Sequence, residues 1–149
     1  MSIVEEIALR QGARLGLIVL GLIAAAIYAL VFCHRGPSAW KTLVKSIPMP
    51  AFALAATVSF GSPAVILALV LSAVGDVALS RNGERAFLIG LIGFALAHLV
   101  YVGHFLSLSG GLTAPVWGVA ALVLFAASTE LWLAPHTGTM KWPVRIYVT

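Results

Sequence analysis

Apolar and polar positions divide the chain into five long apolar runs joined by short connections. The runs are Leu15 to Phe32, Thr42 to Phe60, Ala64 to Leu79, Ala86 to Leu108 and Thr113 to Leu133. A helix that crosses a bilayer needs about 20 mostly apolar residues, and each run is near that length. The first run has no charged residue and reads as helix one, preceded by a short interfacial lead-in over residues 1–14 with Arg10 and Arg14 at the membrane edge. Gly12 and Gly16 make a GxxxG spacing that could admit a close neighbour. Pro48 and Pro50 fall a little inside the second run, so an irregular or kinked start is expected there. Gly61–Ser62–Pro63, Arg81 to Arg85 and Gly110–Gly111 punctuate the next three boundaries, and residues Pro135 to Lys141 read as a loop. The last eight residues, Trp142 to Thr149, are too few to cross and read as the first two turns of a sixth helix in a truncated chain. The expected fold is an all-α polytopic transmembrane bundle, one domain over residues 1–149, with five helices and the start of a sixth.

Composition agrees with the pattern. The chain is 61% hydrophobic and 9% charged, with a mean hydropathy of +1.06, whereas a soluble domain is about a quarter charged. The connections leave no room for a soluble domain. The net charge of +4 is modest and sits on loops and helix ends, which describes topology and gives no nucleic-acid surface. Cys33 is the single cysteine, so no internal disulfide can form. Glu5 and Glu6 occupy the place of a basic signal-peptide start, so the first run reads as a retained helix.

Alternating loops put seven of the nine basic residues, Arg35, Lys41, Lys45, Arg81, Arg85, Lys141 and Arg145, on one side. The positive-inside rule makes that side cytoplasmic and the amino terminus external, as in a multi-pass protein of the cell membrane. Depth then follows from 1.5 Å per residue. Asp76 lies roughly 7 Å below the cytoplasmic edge, Lys45 roughly 6 Å and Glu130 about 7 Å, whereas His98 is roughly 20 Å from it. An intramembrane ionisable group faces protein or water, because exposing it to lipid costs several kcal/mol.

These positions carry the candidate chemistry. Asp76, Lys45, His98 and Tyr101 are the candidate site residues; His104 reads as interfacial. A zinc site of Asp76, His98 and His104 is disfavoured, since ligands lie about 2 Å from zinc while straight helices separate Asp76 from His98 by roughly 12 Å. A bend at Gly90 or Gly93 is what could relax that objection. Plainer roles stand beside each assignment: Asp76 as a structural partner of Lys45, Lys45 and Glu130 snorkelling to the interface, Tyr101 bonding a neighbouring helix, Gly75 serving close packing.

Gly75–Asp76, followed by FLIGLIGFALAHLVYVGHF from Phe87 to Phe105, resembles the YhhN-type lysoplasmalogenase family. Its pattern G-D…F-x-x-G-x-x-x-F-x-x-x-H-x-x-Y has counterparts in Phe87, Gly90, Phe94, His98 and Tyr101. Pro143, Val144 and Tyr147 look like the start of the family's sixth helix. Lys45 stands where the family has a Lys-Pro pair, with Ser46 in place of that proline. The similarity runs over about residues 40 to 149. It implies an eight-helix membrane enzyme that hydrolyses the vinyl-ether bond of lysoplasmalogens to a fatty aldehyde and a glycerophospho-base. It also implies a further aspartate beyond Thr149.

Vinyl-ether hydrolysis protonates the β-carbon and leaves an oxocarbenium-like ion for water to attack. A carboxyl kept protonated by a low-dielectric site can supply the proton, and a second carboxylate can activate water or stabilise the cation. Asp76 is the expected member of that pair, Lys45 the residue that steers the lipid phosphate, and His98 and Tyr101 walls of the pocket. No cofactor or metal is required; the expected partners are a lysophospholipid substrate and the bilayer. Two other classes stay open: a proton-coupled or solute transporter, and a non-catalytic assembly subunit. A metal-dependent intramembrane hydrolase is a third possibility, lowered by the depth argument.

Overall fold

Ser2 opens the first helix with a reciprocal cap. Its hydroxyl accepts from the Glu5 amide while its own amide donates to the Glu5 carboxylate, which satisfies two otherwise orphaned donors. Glu6 and Arg10, one turn apart, add an ion pair of 2.8 Å. In the computed structural model, which describes residues 2–36, 38–109, 116–133, 138 and 141–148, helix α1 therefore runs from Ile3 to Ile27 and continues as a π-helical segment, Tyr28–Phe32. Residues 3–14 of the expected lead-in over residues 1–14 are thus part of the helix itself: a capped start and no breaker leave nothing to separate them. The Lys41 ammonium closes the far end by donating to the Arg35 and Cys33 carbonyls at 2.6 and 3.3 Å.

The second apolar run is broken, as its prolines require. Helix α2 spans Ala39–Ser46, capped by the Ser38 hydroxyl, and α3 spans Pro48–Val58 after an interruption at Ile47. Pro48 and Pro50 lack the amide protons that would have bridged the two. Pro63 starts α4, Pro63–Leu79, and α5 follows as Glu84–Ser109. Between α3 and α4 the chain reverses through Phe60, whose φ of 53° is unusual for a bulky residue. Helices α6, Val116–Leu133, and α7, Lys141–Val148, complete the described structure, and no strand occurs among the described residues. The Gly110–Gly111 turn and most of the Pro135 to Lys141 loop lie outside the described residues.

The chain divides into two compact units, Met1–His104 and Phe105–Thr149. In the first, α3 packs on both α1 and α4, and α2 touches α4. Its interior is built of small residues: Ala24, Ala51, Ala53, Ala55, Ala68 and Ala97 are buried, with Gly21, Gly75, Gly90 and Gly93. No large side chain is fully buried among the described residues. Small residues let helix backbones approach closely, the way membrane helices associate when apolar burial supplies no drive. Gly21 shows it: a Cβ there would lie 2.6 Å from the Phe52 ring of α3. Gly12 and Gly16 have nothing within 4 Å of such a Cβ, so the GxxxG spacing makes no helix contact among the described residues. In the second unit α6 and α7 are in contact, and Val144 is buried.

Two helical stretches, Ile3–Phe32 and Glu84–Ser109, are long and apolar enough to cross a membrane; Pro63–Leu79 and Val116–Thr129 are shorter apolar helices.

Candidate active site

Lys45 ends up beside Asp76 because of the break after it. Helix α2 stops at Ser46, with Lys45 in its last turn, and lies against α4, whose final turn carries Asp76. The Lys45 Nζ and Asp76 Oδ1 stand 3.6 Å apart, and the two side chains are only 19% and 16% exposed. A tight ammonium–carboxylate hydrogen bond is about 2.7–2.9 Å. The pair is therefore loose, held by charge more than by a short hydrogen bond.

Glycines on two helices bring α5 against α4 at this level. A Cβ on Gly75 would sit 2.8 Å from the Phe94 ring, and one on Gly93 would sit 3.2 Å from the Leu71 carbonyl oxygen and 3.3 Å from the Gly75 nitrogen. Gly90 is equally confined, 2.6 Å from Leu79 by the same measure. The Gly75–Asp76 sequence thus joins two jobs: the glycine seats Phe94 of α5, and the next residue presents a carboxyl to α2. Helix α5 is continuous through Gly90 and Gly93, so these glycines serve close packing and not a bend.

The same contacts set the register of α4 against α5. Leu79 meets Gly90, Gly75 meets Gly93 and Phe94, and the Ser62 hydroxyl is 3.5 Å from His104 Nδ1. Interpolation puts His98 level with about Leu69, roughly 10 Å along the axis from Asp76. His98 is exposed, with Nδ1 2.7 Å from the Phe94 carbonyl one turn back, so that nitrogen carries the proton and donates. Tyr101, half-buried, lies one turn further from Asp76. Of the four candidates the structure brings two together, Lys45 and Asp76. Glu130 belongs to the second unit and its side chain lies outside the described residues. Among the described residues no group of three or more His, Cys, Asp or Glu side chains could hold a metal.

Sequence reasoning missed an apolar groove of about 520 Å³ walled by Pro50 of α3, Val70, Val74 and Val77 of α4, and Ile89 of α5. It includes the neighbours Val77 and Ala78 but not Asp76 or Lys45, because Asp76 points about 120° away around α4. Its walls are ordinary aliphatic residues, and nothing in their spacing marks them out.

The YhhN family profile matches residues 40–149, which contain Lys45, Asp76 and the glycine contacts of α4 and α5. The chain belongs to the YhhN family. Two relatives, each named lysoplasmalogenase, from Mycobacterium bovis and Mycobacterium tuberculosis, are 31% identical over 144 residues, covering 85% of this chain and 55% of theirs. The chain thus spans about half the length of these relatives. No solved structure gives a significant match.

Proposed function

We propose that this chain belongs to a membrane-embedded lysoplasmalogenase that cleaves the vinyl-ether bond of a lysophospholipid, with the Lys45–Asp76 pair at the reacting end. The observation that carries the reading is that pair, 3.6 Å apart and mostly buried, inside the region that the family profile matches. The relatives' name supplies the substrate class.

Membrane insertion rests on the surfaces of the long helices. Only 11% of the apolar stretch of Ile3–Phe32 and 17% of that of Glu84–Ser109 is buried. A helix apolar on every face needs a protein core or lipid around it, and here lipid supplies the cover. The distribution of basic residues supports an external amino terminus, with Lys45 and Asp76 near the cytoplasmic face.

The chemistry proceeds from the pair. The lipid phosphate meets the Lys45 ammonium and draws it from the carboxylate. A buried carboxyl without a counter-charge is favoured in its protonated form, so Asp76 can hold the proton that the vinyl-ether β-carbon requires. That proton converts the enol ether to an oxocarbenium ion. Water adds to the ion, and the resulting hemiacetal collapses to a fatty aldehyde and the glycerol hydroxyl. The Asp76 carboxylate left behind stabilises the cation and accepts the proton of the attacking water, which regenerates the acid that began the step. His98, about 10 Å higher, and Tyr101, about 15 Å higher, line the path of the alkenyl chain and make no contact with the reacting bond.

Asp76→Asn in the full-length protein tests the assignment. Aldehyde release from a lysoplasmalogen should fall at least 100-fold with helical content unchanged, the loss typical of removing a general acid. Retained turnover in a folded Asp76→Asn protein would overturn it.

A further inference from the structure

At the end of the first unit away from Lys45 and Asp76, two adjoining crevices of about 410 and 250 Å³ lie between α1 and the end of α3, and both are lined by Arg14 and Ser59. Their walls differ in character along the helix axis. Towards the amino terminus they carry Arg10, Gln11 and Arg14; deeper they carry Ile18, Phe52 and Ala56. Arg10 is already committed: it donates to Glu6 at 2.8 and 3.0 Å, and its guanidinium lies 4.4 Å from the centre of the Phe60 ring. Glu6 therefore offsets the Arg10 charge and leaves that of Arg14 unbalanced. The Ser59 hydroxyl donates to the Ala55 carbonyl at 2.7 Å, so the donors offered to a ligand are the Arg14 guanidinium and the Gln11 amide. Arg14 immediately precedes the uncharged stretch Leu15 to Phe32, the level at which lipid phosphates lie.

We propose that this crevice binds one membrane phospholipid, its phosphate on Arg14 and Gln11 and one acyl chain along Ile18, Phe52 and Ala56. The match is of charge and shape together: a guanidinium suits phosphate in a bidentate fork, and the apolar limb continues from it into the bilayer. The site is about 20 Å along α1 from the level of Lys45, so it holds a lipid that is not the one being cleaved. It rests on the membrane reading above, which retention in the membrane pellet after alkaline carbonate extraction tests separately.

The experiment is native mass spectrometry of the protein purified in mild detergent and titrated with phosphatidylglycerol. Wild type and Arg35→Gln, which removes an arginine from the turn beyond the other end of α1, should carry one lipid equally. Arg14→Gln should lower the bound fraction at least tenfold, and Ala56→Phe, which fills the apolar limb but keeps the arginine, should do the same. Circular dichroism of each variant establishes that the helices persist. Diacylglycerol, which lacks phosphate, should bind at least tenfold more weakly than phosphatidylglycerol, and millimolar inorganic phosphate should not displace the lipid. Equal binding by wild type and Arg14→Gln, an equal loss in Arg35→Gln, or full displacement by inorganic phosphate would each overturn the proposal.

Discussion

At the scale of single residues, the Lys45–Asp76 pair invites two roles that mutants can separate. A structural tie between α2 and α4 needs only that the two sites match in character. Breaking a buried pair from one side leaves an uncompensated charge, worth about 3 kcal/mol, whereas replacing both partners by apolar residues is often neutral. Lys45→Met should therefore lower thermal stability in detergent, and Lys45→Met with Asp76→Leu should restore most of it. The double variant should nevertheless release no aldehyde; activity in it would leave the pair a tie and nothing more. The pair itself was legible in the sequence, because distance from the charged turns put both groups at one depth. The side-chain distance was not, since spacing along a helix gives a residue's height but not how near its side chain comes to a neighbour's.

At the scale of elements, the contact of α4 with α5 depends on glycines. Gly75→Ala should destabilise the protein by about 1–3 kcal/mol, because the new methyl meets the Phe94 ring 2.8 Å away, and Phe94→Leu should offset part of the loss. Gly103→Ala, with open space at its Cβ, should instead be neutral or stabilising by about 0.5–1 kcal/mol. Thermal unfolding in one detergent compares the set; equal effects at the two glycines would contradict the packing account. The helices were readable from their apolar runs and the break at Ile47 from its prolines. The start of α1 lies some twelve residues before the edge that Arg10 and Arg14 suggest, because Ser2 and Glu5 form a cap that precedes them. Of the glycines in α1, Gly12 and Gly16 fitted a motif, yet Gly21 is the one a neighbour reaches. A motif reports spacing, and only the partner helix decides which spacing is used.

At the scale of the whole molecule, the proposed topology has a built-in reporter. Cys33 is the single cysteine and is exposed, next to Arg35 on the side assigned to the cytoplasm. A membrane-impermeant maleimide should leave Cys33 unlabelled in intact cells and label it after permeabilisation; labelling of intact cells would invert the topology. The family was legible from the order of Gly75–Asp76, Phe94, His98 and Tyr101, of which Gly75 and Phe94 meet between α4 and α5 and Asp76 meets Lys45 of α2. The claim on which the account turns is that the full-length protein breaks one kind of bond. Product analysis of the purified protein in detergent tests it most directly, with a lysoplasmalogen and its ester-linked and saturated-ether counterparts as substrates. The account predicts fatty aldehyde and glycerophospho-base in equal amounts from the vinyl ether alone. Absence of aldehyde, or cleavage of the ester at a comparable rate, would contradict it.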